Sequence, residues 1–295
     1  MPDLRMRSIV SWGGRLDDRD VGRLWNENAD VWTRLARAGY DVYRDVLNTP
    51  AFLAMLPDVG GLYGVDIGCG EGHNTRLIAK RGARLVAIDI AEVFVKHARE
   101  EEEREPLGID YRVASALDLP FPDRHFDFVT AVMCLMDMPN VERVVAEAFR
   151  VLKPGGFLQF SITHPCLDMP HHRNLRDDTG RTYAYEIGGY FHPLDGDVAE
   201  WIFSAAPADV RRDLPKFKVP RFTRTLSQWF NLLVETGFRM EHVLEPCPTD
   251  AVVERCPAVQ DAQVVPYFLH VRVRKPADGC GASEEGCRHA EVEEV

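Results

Sequence analysis

The chain has 295 residues, 45% hydrophobic and 27% charged, a balance that excludes a mostly disordered chain, a collagen-like fibre and a disulfide scaffold. No apolar run of roughly 18 residues occurs, so no membrane helix or membrane partner is expected, and the start MPDLRMRSIVSWGGRLDDRD lacks the apolar stretch of a secretory signal. Lys and Arg total 35 against 46 Asp and Glu, a net charge of −11, so nucleic acid is not expected as a partner.

Residues 1–57 are read as an N-terminal helical cap. Trp25, Ala29 and Trp32 recur there at i, i+4 and i+7, which turns both tryptophans toward the rest of the domain as packing or as a lid. Residues 58–164 alternate strand and helix. LYGVDI (62–67), RLVAIDI (84–90), 109–114, FDFVTAVM (126–133) and FLQFSIT (157–163) read as strands. Residues 73–81, 91–104 and 140–152 read as helices, with Val93, Phe94 and Ala98 facing inward on the second. Arg99–Glu105 reads as that helix's solvated end, and Pro154-Gly155-Gly156 as the stop of the third. Near-continuous apolar strands separated by helices predict a doubly wound α/β fold with a mostly parallel sheet.

The pattern breaks over 165–222, where aromatics occur without a clean period, and a connection of that length is read as an insert that forms a lid and acceptor pocket, with a small core within the insert as the alternative reading of its aromatics. Residues 223–275 return to the core. TLSQWFNLLVETG (225–237) reads as a helix capped by Thr225 or Ser227 and stopped by Gly237, and 239–245 and 267–274 read as strands. From 276 to 295 six acids face one arginine, which predicts a disordered acidic tail. The seven cysteines (69, 134, 166, 247, 256, 280 and 287) are odd in number and irregular in spacing, so reduced thiols and a cytoplasmic location are expected.

Chemistry concentrates in Val65-Asp66-Ile67-Gly68-Cys69-Gly70-Glu71-Gly72, where the first strand turns into the first helix. In an open parallel sheet that crevice binds ligands, and glycines there allow close backbone approach. A dinucleotide turn would read G-x-G-x-x-G. Here the turn is G-x-G-x-G, followed by Asn74 and preceded by Asp66, an acid suited to a cationic amine. Asp89 ends the second strand and can accept both hydroxyls of a ribose; it can also cap the following helix. The predicted ligand therefore carries a ribose and an amine, with no need for phosphate.

These residues resemble the class I S-adenosylmethionine-dependent methyltransferases over roughly 60–164. The resemblance implies a Rossmann-like, seven-stranded sheet in the order 3-2-1-4-5-7-6, with the last strand antiparallel and helices on both faces. It implies that Gly68, Cys69, Gly70 and Gly72 wrap the cofactor's methionine part, that Asp89 holds the ribose, and that Ile90 packs on adenine. Ser115 to Pro122 looks like the family's adenine loop, in which Ala116 and Leu117 border the base. Many members carry an acid where this chain has Ser115. Phe126-Asp127 and Leu152 to Gly156 also match. Asn74 is either near the cofactor carboxylate or an exposed early helix residue, and Cys134 is expected to line the cofactor cavity.

Methyl transfer from a sulfonium needs positioning and exclusion of water more than a strong base. His164, just past the fifth strand, is the candidate base; a histidine bonded to backbone at the root of the insert is the alternative. Tyr190 and Arg224 are candidate acceptor contacts, with a surface ion pair as the other reading of Arg221 or Arg224. His171 and His172 lie in a polar loop without further ligands, so no metal is expected. The reading is a methyltransferase for a small-molecule acceptor at oxygen, nitrogen or carbon. A peptide or protein acceptor, a non-catalytic cofactor-binding protein and a nicotinamide oxidoreductase are the alternatives, the last opposed by the missing fingerprint glycine and by Asp66. The sequence does not set the oligomeric state.

Overall fold

A computed structural model describes residues 8–10 and 16–278. Beyond Asp278 the predicted acidic tail, with Cys280 and Cys287, lies outside the described residues. The strands are β1 (Ser8–Val10), β2 (Tyr63–Ile67), β3 (Arg84–Asp89), β4 (Asp110–Val113), β5 (Phe126–Val132), β6 (Leu152–Thr163), β7 (His171–Arg176), β8 (Thr182–Gly188), β9 (Asp195–Trp201), β10 (Phe217–Phe222), β11 (Arg239–Leu244) and β12 (Phe268–Arg274). The helices are α1 (Asp18–Arg37), α2 (Thr49–Met55), α3 (His73–Ala79), α4 (Glu92–Arg104), α5 (Val141–Val151), α6 (Ala208–Arg212), α7 (Leu226–Glu235) and α8 (Asp250–Arg255).

Seven strands form the main sheet in the order β11-β12-β6-β5-β2-β3-β4. Numbered along the core from β2 and read from the β4 edge, this is the expected 3-2-1-4-5-7-6. The last strand, β12, runs antiparallel to both β6 and β11. β2 is parallel to both β3 and β5, so the end of β2, where the glycine turn begins, opens at the middle of the sheet's carboxyl edge.

Apolar side chains on both sheet faces explain the near-continuous hydrophobic strands. One face buries Val129, Ala131 and Phe160 against Val144, Val145 and Ala148 of α5 and Trp229 and Leu233 of α7. The other buries Leu85, Ala87 and Phe128 against Phe52 of α2, Ile78 of α3 and Val95 and Ala98 of α4. Each large side chain so buried contributes about 1.5–3 kcal/mol.

Several local expectations are corrected. Val95, with Phe94 and Ala98, is buried on α4, while Val93 is only half-buried. The acidic end of α4 is not simply solvated. Glu102 and Glu105 pair with Arg76 at 2.7 and 2.9 Å, and Glu102 Oε1 also accepts the amides of Leu107, Gly108 and Ile109. β6 begins at Leu152 and continues through the Pro-Gly-Gly, where the pairing with β5 shifts register.

The insert is more regular than its sequence. β7 and β8 pair antiparallel, and β9 pairs with β10 and with β1. α1 packs against β10 of this small sheet and against α4. Pro220 sits on the outer strand, β10, the position where a sheet tolerates a proline. His171 and His172 accordingly lie on a strand. Thr225, not Ser227, caps α7, through a capping box with Gln228.

Candidate functional site

A cavity of about 370 Å³ opens at the carboxyl edge of the sheet, within the size range of small-molecule sites. Its wall joins the turn after β2 to the end of β3, the loop after β4, α1 and the insert. Six carboxylates line it (Asp18, Asp41, Asp66, Glu71, Asp89 and Asp137) against two guanidiniums, Arg44 and Arg221. That excess of negative charge suits a cationic ligand.

The three glycines of the turn have φ of +66°, +55° and +88°, yet they do different things. A Cβ on Gly68 would lie 2.6 Å from Cβ of Cys134, so Gly68 lets the turn close on β5. Gly70 has open space around its missing Cβ and lines the cavity. Gly72 is turned away from the cavity. Its missing Cβ would meet Oη of Tyr111 at 2.6 Å and Cβ of Ala98 at 3.3 Å, so the smallness of Gly72 serves packing under α4 rather than the ligand.

Asp89 Oδ2 accepts the Gly70 amide at 2.9 Å and Oδ1 accepts the Ala91 amide at 2.8 Å. The carboxylate thereby fixes both the glycine turn and the backbone that leads into α4; it does not cap that helix, whose N-cap is Ala91 with no side-chain cap bond. Burial pushes its pKa up to about 6 against the pull of these amides. Asp66 is buried deeper and accepts the hydroxyls of Thr75 at 2.5 Å and Thr130 at 2.7 Å; burial raises it to about 6 as well. Each Asp66 oxygen already holds one donor, so an amine would add to an occupied carboxylate.

Ile90, Ala116, Leu117 and Cys134 line the cavity. Cys134 Sγ lies 3.2 Å from the Ile67 carbonyl, and burial raises its thiol well above the ordinary value, which argues for a wall residue over a reactive thiolate. Cys69 also lines the cavity, with its amide bonded to the Ile88 carbonyl at 3.0 Å. Asn74 faces the cavity and its Oδ1 accepts the Thr49 hydroxyl at 2.7 Å.

Three sequence expectations are corrected. His164 does not line the cavity, and both ring nitrogens are engaged. Nδ1 accepts the Cys166 amide at 3.1 Å, so Nε2 carries the proton toward Glu245 Oε1 at 2.8 Å. His164 is therefore a structural tie at the root of the insert. Tyr190 lies outside the cavity wall, where its Oη accepts the Leu226 amide at 2.8 Å. Arg224 pairs with Glu142 at 2.9 Å and lies over the ring of Trp229, again away from the cavity. Arg221 does reach the wall, but it forms a buried ion pair with Asp168.

Asp18, Arg44 and Met133, also on the wall, had no sequence signal. Asp18, in the first turn of α1, accepts the Ser115 hydroxyl at 2.5 Å, and Ser115 Oγ accepts the Leu117 amide at 3.1 Å. Arg44 opens a π-helical turn, Arg44–Asn48, a form that recurs at functional sites. It pairs with Asp45 at 2.8 Å and with Glu71 at 3.3 Å, and Arg37 holds the other Glu71 oxygen at 3.0 Å. Trp25 and Trp32 form part of the wall with Trp201 and Phe203 of the insert, Trp32 meeting Trp201 edge-on at 5.4 Å. They are thus both packing and roof. Met133, at the end of β5, has φ of +56°, an unusual conformation for a non-glycine residue and one that clusters at functional sites.

Another part of the wall is polar. Tyr43, Asn174, Tyr185 and Tyr267 face the cavity, with Asp261 buried behind them. Asp261 accepts Tyr43 Oη at 2.5 Å and Tyr267 Oη at 2.8 Å, and Tyr185 Oη lies 2.6 Å from Tyr267 Oη. Burial first, and Asp261 or neighbouring phenols after it, hold all three phenols above their ordinary pKa, so they stay protonated at neutral pH. Their wide spacing in sequence hides the cluster.

Residues 65–160 match the family described as Methyltransferase domain. Over 147 residues the chain is 38% identical to the demethylmenaquinone methyltransferase of Tropheryma whipplei (strain Twist), covering 50% of this chain and 60% of that protein. Over 169 residues it is 28% identical to the ubiquinone biosynthesis O-methyltransferase of Coxiella burnetii (strain Dugway 5J108-111), covering 57% and 61%. The chain thus spans about three-fifths of the length of these curated relatives. Among solved structures, an S-adenosylmethionine dependent methyltransferase from Mesorhizobium loti aligns with a TM-score of 0.63 and 31% identity, over 76% of this chain and 96% of that one.

Proposed function

The chain belongs to the class I S-adenosylmethionine-dependent methyltransferases, and on that premise we propose that it moves a methyl group from S-adenosylmethionine to a small-molecule acceptor, leaving S-adenosylhomocysteine. The observation that carries this reading is the continuity of one cavity wall from Gly70 and Asp89 to the aromatic and tyrosyl residues of the cap, the insert and the segment before β12. Cofactor and acceptor can share it.

The residues present fit the cofactor. Asp89 would take the ribose hydroxyls, and Ile90, Ala116 and Leu117 would flank the adenine. Asp18, beside Ser115, would supply the acid that Ser115 lacks. The backbone of Gly68, Cys69 and Gly70 would hold the methionine part, with Asp66 near its ammonium and Arg44 and Asn74 near its carboxylate. Gly72 would act only through its packing under α4. When bound, S-adenosylmethionine supplies an electrophilic methyl group on a sulfonium. The chain's own contribution is to orient the two reactants and exclude water, with Trp25, Trp32, Trp201 and Phe203 as the roof.

Two of the relatives bear names from quinone biosynthesis. With a wall that includes Met133, Leu167 and Phe268, this supports an acceptor with an apolar, aromatic body. Among the described residues no helix is long and apolar enough to cross a membrane. The irregularly spaced cysteines support a cytoplasmic location.

Calorimetric titration with S-adenosylhomocysteine, with NADH in parallel, tests the cofactor half. Micromolar binding of the first alone is expected. Mass spectrometry of an aromatic acceptor panel incubated with S-adenosylmethionine tests the other half, by a gain of one methyl group. Binding of NADH alone, or of neither ligand, overturns the reading.

A further inference from the structure

The polar patch in the cavity has a direction. An ionised carboxylate only accepts, so Tyr43 and Tyr267 donate to Asp261, at 2.5 and 2.8 Å. Tyr267 has then spent its proton, and its oxygen accepts from Tyr185 at 2.6 Å. Tyr185 Oη accepts in turn from Asn174 Nδ2 at 2.6 Å. Asn174 also reaches Asp261 at 3.2 Å. The protons of Tyr185 and Tyr267 thus point along the chain toward Asp261, while Tyr43 Oη also lies 2.9 Å from the Ala258 carbonyl, and one lone pair of Tyr185 Oη remains to receive a donor from the cavity.

Apolar surface adjoins this chain. Tyr43 and Tyr267 stack with centroids 4.8 Å apart and planes 7° from parallel. Both, like Met133, pack against the buried cluster of Leu47, Ala262 and Phe268. Met133 precedes Cys134, whose side chain closes on Gly68, so the patch joins the glycine turn through two consecutive residues. A donor held at Tyr185 would have an aromatic-lined wall around its body and the proposed methyl source near it.

We propose that Tyr185, Tyr267 and Asp261 form a proton relay that recognises a hydroxyl group on an aromatic methyl acceptor and takes its proton as that oxygen is methylated. This rests on the methyltransferase reading above. The acceptor O–H donates to Tyr185 Oη. As the new C–O bond forms, the methyl C–S bond breaks and its electron pair stays on sulfur. The acceptor proton passes to Tyr185, that of Tyr185 to Tyr267, and that of Tyr267 to Asp261. The positive charge on sulfur and the negative charge on Asp261 disappear together, so charge balances. A carboxylate at the end of the relay is base enough, because a hydroxyl becomes a strong acid as its oxygen is alkylated. Tyr185 is the catalytic residue in this scheme, and Tyr267 and Asp261 position and drain it.

The test uses the full chain saturated with S-adenosylhomocysteine and titrated calorimetrically with 2-naphthol, 2-methoxynaphthalene and 2-naphthylamine. The expected result is 2-naphthol binding at least about tenfold more tightly than its methyl ether, which has no proton to donate, and more tightly than the amine. Tyr185→Phe should erase the preference while S-adenosylhomocysteine affinity stays within about twofold. Asp261→Asn should slow single-turnover methylation of 2-naphthol more than it weakens 2-naphthol binding. Equal binding of naphthol and ether, tighter binding of the amine, no naphthol binding at millimolar concentration, or an unchanged preference in a folded Tyr185→Phe protein each overturns the relay. All four leave the methyltransferase reading standing, because the S-adenosylhomocysteine titration reports on that separately. If Tyr185→Phe does not fold, the wild-type comparison of naphthol with its ether decides the matter.

Discussion

The Ser115 hydroxyl donates to the Asp18 carboxylate at 2.5 Å, tying the loop after β4 to the first turn of α1. Ninety-seven residues separate the two in sequence. The contact brings a charge from the N-terminal cap to the cavity end lined by Ile90 and Leu117. Removing it should therefore affect the ligand as well as the cap. Asp18→Ala is expected to weaken S-adenosylhomocysteine binding by about 5–10-fold, the value of one hydrogen bond of roughly 1 kcal/mol or slightly more. Ser115→Ala, which leaves the acid in place, should cost less. Equal and unchanged affinities by calorimetry would remove Asp18 from the site.

Asp89→Ala combines two losses. A charge-assisted bond to a ribose is worth about 1.5–3 kcal/mol, so affinity should fall at least tenfold. The Gly70 and Ala91 amides also lose their acceptor, so thermal unfolding should occur at a lower temperature. Asn at this position keeps one acceptor oxygen and should recover part of the stability. Unaltered affinity in a folded Asp89→Ala protein refutes the ribose assignment.

Gly70→Ala and Gly72→Ala should separate binding from folding. The new methyl at position 70 enters open space at the cavity, at a backbone cost of about 1–2 kcal/mol for φ > 0; ligand affinity should fall most. The methyl at 72 collides with Tyr111 and Ala98. Stability should fall there by more than at 70, with little direct effect on affinity once the protein is folded. Urea unfolding and S-adenosylhomocysteine titration of both variants decide it.

The pH dependence of binding follows from buried acids. Asp41, Asp66 and Asp89 are each raised by burial to about 6, and a ligand carrying an ammonium favours their ionised forms. Affinity for S-adenosylhomocysteine should be steady above pH 7 and decline as pH falls through 6. The contribution of these three acids to the stability of the ligand-free chain runs the other way, and it opposes that of His270, whose pKa burial lowers to about 4. The acids' folded-state values lie above the unfolded ones, so their stabilising effect is present below about pH 4 and is lost as pH rises through 6. Calorimetry between pH 5 and 8 tests the first slope, and the difference in thermal unfolding between the wild type and Asp89→Asn over pH 4 to 7 tests the second.

His164→Ala should behave as a structural lesion. It leaves Glu245 and Cys166 without their partner, at about 1–3 kcal/mol, and methyl-transfer kcat should stay within about twofold. A loss of kcat of a hundredfold or more with stability intact would restore it as a base.

The class of the sheet, the place of its glycine turn and the acid at the end of β3 were determined by the sequence itself. Hydrophobic runs bounded by turn residues are local signals, and the spacing of Gly68, Gly70 and Asp89 follows directly from strand, turn and helix lengths. Tertiary structure decided which neighbours share the cavity. Gly72 reads like its two companions, but the helix packed over it makes it a packing residue. His164 stands at the right strand end, but Glu245 and Cys166 take both its nitrogens. In its place Tyr267, on the segment paired beside it through the His164 amide and the Tyr267 carbonyl, brings a hydroxyl to the wall. Tyr43, Tyr185, Tyr267 and Asp261 come from four separate segments of the chain. Hydrogen bonds between residues so far apart leave no period or motif in the chain, because only the closure of cap, insert and sheet on one another brings them within 3 Å.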